Sequence, residues 1–140
     1  MILAIDFGLR NVGFAISDPT NKFAIPVRPL VLNYNDRFDV ITIFTKIYDR
    51  ILEYKPGKVI IGYPKHRSPK NKSIRLLIFE LQNFLKAKGI SCILWDETLT
   101  SRIQEVSSNI TKNYKKYTST DSQAARIIAQ EYLDFINSNK

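Results

Sequence analysis

Cysteine and histidine are almost missing from this 140-residue chain: there is one of each, Cys92 and His66. One thiol excludes an internal disulfide, and the pair cannot supply the three or four ligands of a Cys/His zinc site. Any bound metal must therefore be held by oxygen. No apolar run approaches the ~20 residues that span a bilayer, and the opening MILAIDFG lacks the basic flank and long apolar stretch of a secretory leader. A cytoplasmic protein with no membrane association is expected. Acids are also scarce, 13 Asp and Glu against 21 Lys and Arg, so the net charge is +8. An excess of that size favours a polyanionic partner such as nucleic acid. Hydrophobic residues make up 44% and charged residues 24%, which excludes a disordered or collagen-like chain and predicts one domain over residues 1–140.

Hydrophobic periodicity predicts the element order β-β-β-α-β-α-β-α. Ile2–Asp6, Val12–Ile16 and Phe23–Leu32 read as a three-stranded meander, with Pro26 and Pro29 assigning the third strand to a sheet edge. From Asp36 to Tyr54 apolar residues recur at three and four, predicting a helix that stops at Lys55-Pro56-Gly57. Val59–Tyr63 is a buried strand, and Ile74 to Leu85 marks a second helix ending at Gly89. Ile90–Trp95 is a fifth strand, a short helix from about Leu99 is weakly signalled, Val106–Thr120 is polar, and Asp121–Ile136 is the last helix. The expected architecture is α/β: a five-stranded mixed sheet, an antiparallel meander of three strands followed by two parallel ones, with helices on both faces.

Four acids fall at element ends: Asp6 closing the first strand, Asp96 and Glu97 closing the last, and Asp121 opening the last helix. In α/β sheets the carboxyl ends of parallel strands form the usual ligand crevice. Carboxylates gathered there without bases repel one another, and a hard divalent cation, Mg²⁺ or Mn²⁺, relieves that repulsion while retaining water and phosphate in its shell. Each acid also has an ordinary structural reading: Asp6 as a turn former, Asp121 within a Thr120–Gln123 capping box, Asp96-Glu97 as the lead into a helix.

The segment Lys65 to Arg75 carries Lys65, Arg67, Lys70, Lys72 and Arg75 and no acid, and it leads from a strand into a helix start, a placement suited to phosphate. A second basic stretch, Lys112 to Tyr117, interleaves Lys112, Lys115 and Lys116 with tyrosines in the manner of a single-strand stacking surface.

Together these segments resemble the YqgF/RuvX family, the Holliday junction resolvase or pre-16S rRNA nuclease group with a ribonuclease H-like fold. Ile5 to Asp18 is similar to the family's opening D-x-G-x-x-R-x-G-x-A-x-S-D signature, and Val59 to Pro64 to its V-I-G-x-P strand. Asp96 to Ser101 resembles its D-E-R-x-T-S segment, and Asp121 to Leu133 its D-x-x-A-A-x-x-I-L-Q-x-Y-L helix. Two positions depart from the pattern: Thr98 stands where the family has arginine, and the loop after Pro64 carries Lys and Arg where the family has glycine. The resemblance implies a metal-dependent endonuclease on structured nucleic acid. Asp6, Glu97 and Asp121, with Asp96 in second rank, would hold Mg²⁺ or Mn²⁺. Arg10 and the Lys65 to Arg75 segment would hold the phosphate backbone. RNA, in the form of a ribosomal precursor, or branched DNA is the implied partner, and the protein would act as a monomer or homodimer. A non-catalytic nucleic-acid-binding module and an actin-like or sugar-kinase ATPase are the alternatives, the latter disfavoured because 140 residues leave no room for its second lobe.

Overall fold

Ile2, Leu3, Ala4 and Ile5 are each 5% exposed or less, so the first strand is covered on both sides, as expected of a central strand. The computed structural model describes residues 1–8, 10–33, 39–64, 72–96 and 120–139, with side chains in the last segment from Ser122 onward. Its elements are β1 (Ile2–Phe7), β2 (Asn11–Ser17), β3 (Ala24–Val31), α1 (Val40–Tyr54), β4 (Lys58–Tyr63), α2 (Lys72–Ala87), β5 (Cys92–Asp96) and α3 (Thr120–Ser138). The strands form one sheet in the order β3-β2-β1-β4-β5. β1–β2 and β2–β3 are antiparallel, and β1–β4 and β4–β5 parallel. The meander, the parallel addition and the edge position of the proline-bearing strand all follow the sequence pattern.

Alternation divides the core into two layers. Leu3, Ile5 and Phe7 of β1 pack with Phe44 and Ile47 of α1 and with Ile78 and Leu81 of α2. Ile2 and Ala4 point the other way, onto Ala125, Ile128, Ala129 and Tyr132 of α3. Phe44 anchors the first layer, its ring centroid 6.4 Å from Phe7 and 5.6 Å from Phe84; full burial of such a ring stabilises by about 2–3 kcal/mol. Arg50, 7% exposed, donates to the Arg28 carbonyl and lies 4.9 Å from the Phe14 ring centroid, tying α1 to β2 and β3.

Element ends follow local chemistry. α1 begins at Val40 because Asp39 caps it, one carboxylate oxygen accepting from the Thr42 N–H at 3.1 Å and the other from its hydroxyl at 2.6 Å. The expected start at Asp36 lies outside the described residues. Lys55 ends α1 in the left-handed region (φ 50°), its N–H donating to Ile51 O. Gly89, at φ 86°, ends α2, and the Ile90 N–H returns to Leu85 O at 2.8 Å. That turn keeps Ile90 out of the fifth strand, which starts two residues later than the apolar run does. The short helix from Leu99 and the polar stretch to Thr120 lie outside the described residues.

Candidate nucleic-acid-cleaving site at the sheet edge

β1 being central, its carboxyl end shares one edge of the sheet with the carboxyl ends of β4 and β5. Asp6 is the last residue but one of β1. By alternation with Ile2 and Ala4 its half-buried side chain lies on the α3 side of the sheet. Its antiparallel partner is Gly13. On the other flank, Ile5 pairs with Ile61, and Gly62, the next residue of β4, shares a face with Ile60 and hence with Asp6. Two glycines therefore leave the floor on either side of this carboxylate without side chains.

The third glycine near Asp6 has a different task. A Cβ on Gly8 would stand 2.7 Å from the Asn11 carbonyl oxygen, a backbone atom that cannot swing away, so the β1–β2 turn closes only around glycine. Arg10, exposed, sits in that turn, and its carbonyl accepts from the Leu32 N–H at 2.9 Å, which anchors the turn to the end of β3.

α3 begins over this same edge. The Ser122 hydroxyl, fully buried, donates to Val27 O at 2.7 Å. Val27 pairs with Phe14, and Phe14 with Ile5, so the helix start is level with the residue before Asp6. Further along, Gln130 accepts from the Ala24 N–H and donates to Lys22 O, at 2.9 and 2.8 Å, fixing the direction of the helix back along β1. Asp121 thus lies in the first turn of a helix whose positive end meets the Asp6 edge.

Asp96 ends β5 opposite Tyr63. Trp95 packs with the α3 layer and Leu94 with the α1–α2 layer, so alternation turns the Asp96 position toward the α1–α2 side, while its charge still acts on Glu131 of α3. Glu97, Lys65, Arg67, Lys70, Lys112, Lys115 and Lys116 lie outside the described residues, as does the Asp121 side chain. Lys72 and Arg75 occupy the first turn of α2, which opens at the same sheet edge. Among the described residues no three His, Cys, Asp or Glu side chains gather to hold an ion. The donor chemistry nonetheless suits a hard cation: Asp6 offers a carboxylate oxygen, the ligand type that Mg²⁺ and Mn²⁺ prefer.

Other polar groups prove structural. In the Ser17-Asp18 end of the opening signature, Ser17 accepts from the Ile2 N–H at 2.9 Å and donates to Asn21. Asp18 accepts from the Thr20 hydroxyl and from the N–H groups of Phe23, Lys22 and Thr20, and these bonds, the Thr20 hydroxyl first, hold its carboxyl down at about 2. Burial pushes the Cys92 thiol up to about 11, which disfavours the thiolate. Sequence reasoning passed over Glu131, which accepts from the Trp95 indole N–H at 3.1 Å through Oε2 while Oε1 is buried without a hydrogen-bond partner. Burial first, with Asp96 and Asp134 adding to it and the Trp95 bond opposing, holds its carboxyl above the ordinary range. Nothing in the sequence marks Glu131 apart from its place in an amphipathic helix.

The family model for RuvX, Holliday junction resolvase, matches residues 1–135. The chain belongs to the RuvX family. Its relatives include a protein of Mycoplasmopsis synoviae (strain 53), 38% identical over 94% of this chain and 96% of its own, and one of Sulfurihydrogenibium sp. (strain YO3AOP1), 34% identical over 95% and 89%. Both carry the name "Putative pre-16S rRNA nuclease". Among solved structures the RuvX chain resembles T. thermophilus RuvC in complex with a Holliday junction substrate, with a TM-score of 0.70 at 10% identity over 98% of this chain and 95% of that one. It also resembles the Fowlpox virus resolvase in complex with Holliday junction DNA, with a TM-score of 0.55 at 17% identity over 96% and 97%. At those identities the likeness establishes the fold, which is the ribonuclease H-like fold of the resolvases.

Proposed function

We propose that this RuvX-family chain is a metal-dependent endonuclease acting on structured nucleic acid, with 5′ processing of pre-16S rRNA as its reaction and Holliday junction cleavage as the second reading. The observation that carries the proposal is the setting of Asp6. A half-buried carboxylate stands at the carboxyl end of the central strand, flanked on its own face by Gly13 and Gly62, with the start of α3 docked on β3 at the same level of the sheet. RNA is placed first because the relatives that match along almost the whole chain are named for pre-16S rRNA.

In this reading Asp6, Glu97 and Asp121 hold Mg²⁺ or Mn²⁺, and Asp96, on the other side of the sheet by alternation, is the weakest ligand choice. The bound ion supplies an acidified water and neutralises charge at the leaving oxygen of the phosphodiester. The chain's own share is position. β1 fixes Asp6 within the sheet, the two glycines admit the sugar-phosphate backbone close to it, and the positive end of α3 favours a phosphate on the same face. Arg10, Lys72 and Arg75, joined by Lys65, Arg67 and Lys70, hold flanking phosphates and give affinity without base selection. Lys112, Lys115 and Lys116 would extend that grip along the strand.

Asp6→Asn tests the assignment. With purified protein, labelled pre-16S 5′ leader and a four-way junction in Mg²⁺, Mn²⁺ or EDTA, the substitution abolishes cleavage while the thermal melt stays near wild type. Removing a carboxylate that orders the reacting centre withdraws several kcal/mol of transition-state stabilisation, on the order of 10³-fold in rate. A folded Asp6→Asn protein that cuts at the wild-type rate ends the nuclease reading. Full nucleic-acid affinity with no cleavage by the wild type, in either metal, selects instead a binding module, the outcome to which Thr98 in place of arginine would point.

A further inference from the structure

We infer that Tyr63 and Phe79 form a stacking platform for an unpaired base of the RNA substrate, beside phosphates held by Lys72 and Arg75. The inference rests on the proposed function in taking RNA as the partner. Tyr63 is the last residue of β4, the strand beside β1, and lies on the α1–α2 side of the sheet. Phe79 lies two turns into α2, and the two ring centroids are 5.3 Å apart with planes inclined at 52°. Phe79 is 42% exposed, and Leu76, three residues before it, is 54% exposed. An aromatic pair is thus half in the core and half in water, at the sheet edge that carries Asp6.

Cations border it along α2, and Asp96, the register partner of Tyr63, adds an acid on the β5 side. Arg75 and Lys72 precede Phe79 by four and seven residues, spacings that put all three along one side of α2. The first turn of α2 contains no acid; Glu80, next to Phe79, projects about 100° round the helix. An apolar surface built to receive a second copy of the chain would not be bordered by repelling cations, whereas a base with its phosphates matches both parts. Bases inside a duplex are already stacked, so the platform takes only splayed or single-stranded ones.

The test measures binding without cleavage. In EDTA, fluorescence anisotropy is followed for a labelled single-stranded oligoribonucleotide of mixed sequence and for an RNA duplex of the same length. Phe79→Ala weakens single-strand binding about tenfold, the effect of losing one stacked base, and leaves duplex binding unchanged. Phe79→Tyr, which keeps the π-face, binds as wild type, while Phe79→Leu, which keeps apolar bulk without it, loses as much as the alanine variant. Since the Leu and Tyr variants preserve the volume over Tyr63, that pair decides the matter even if the alanine variant folds poorly. Wild-type single-strand affinity in Phe79→Leu, a parallel loss on duplex, or a Phe79-dependent self-association with no effect on RNA overturns the platform. Cleavage of the leader by wild type in Mg²⁺ is scored separately, so the platform can fail while the nuclease stands, and the reverse.

Discussion

Replacing Gly8 by alanine should damage the site more than the fold. The added Cβ would lie 2.7 Å from the Asn11 carbonyl oxygen, closer than such atoms normally approach, and the obstacle is main chain. The β1–β2 turn must open by several tenths of an ångström, an overpacking strain of about 2 kcal/mol. For a chain of this length that lowers Tm by about 7 °C, which a melt followed by circular dichroism resolves. The layers beneath remain intact, since Leu3, Ile5 and Phe14 are fully buried and none of them lies within 4 Å of the added methyl. Asp6 lies two residues before the turn's glycine and Arg10 two after, so the displacement passes directly to both. A misplacement approaching 1 Å at a reacting centre costs about 10²-fold in rate. The expected result is a folded Gly8→Ala protein with a modestly lowered Tm and a cleavage rate reduced by two orders of magnitude, KM changing little. Wild-type cleavage with a lowered Tm would show that the turn does not position the site; an unchanged Tm would show that the close approach to Asn11 is relieved elsewhere.

Two further outcomes concern charge. The folded chain favours the neutral form of Glu131, so the stability this confers is complete below the ordinary value of 4.5 and lost as pH rises through the raised one. Glu131→Gln keeps a neutral acceptor for Trp95 at every pH; its Tm relative to wild type should climb from near parity at about pH 4 to a gain of a few degrees at about pH 8, and a gap independent of pH refutes the burial argument. Replacing Lys65, Arg67, Lys70 and Lys72 together by Gln should flatten the plot of log affinity against log salt by about 0.7–0.9 for each phosphate that is no longer neutralised, and an unchanged slope leaves that segment as ordinary surface.

The fold was legible where its signals are local. Pro26 and Pro29 cannot complete a ladder on both sides, and β3 is indeed an edge strand. The change of period from Asp36, Lys55-Pro56-Gly57 and Gly89 marked the helices to within a few residues, and the exceptions have local causes too: the Asp39 cap at the start of α1, and the Gly89 turn that holds Ile90 out of β5. Strand order is also recoverable, because a meander followed by helix-linked strands leaves few arrangements of right-handed crossovers, and in them β1 is central.

The site was legible only in part, and the boundary follows sequence separation. Asp6 announces itself by closing an apolar run. That Gly13 and Gly62 flank it depends on the β1–β2 register and on a crossover of about fifty residues between β1 and β4, neither of which a local pattern encodes. Asp96 and Glu97 look equivalent in sequence, and of the two only Asp96 is among the described residues. Once Trp95 is seen against Tyr132 of α3, with ring centroids 5.4 Å apart, alternation turns the Asp96 position toward the other side, although Glu131 of α3 still feels its charge. The Ser17-Asp18 end of the family signature shows the converse. Its residues share a motif with Asp6, but their oxygens are taken by backbone N–H groups at the far end of β2, Ser17 by Ile2 of β1 and Asp18 by Lys22 and Phe23 of the turn into β3. A motif therefore groups residues needed to build one hairpin as readily as residues needed to cut a phosphodiester, and it is the face and the sheet edge that separate the two.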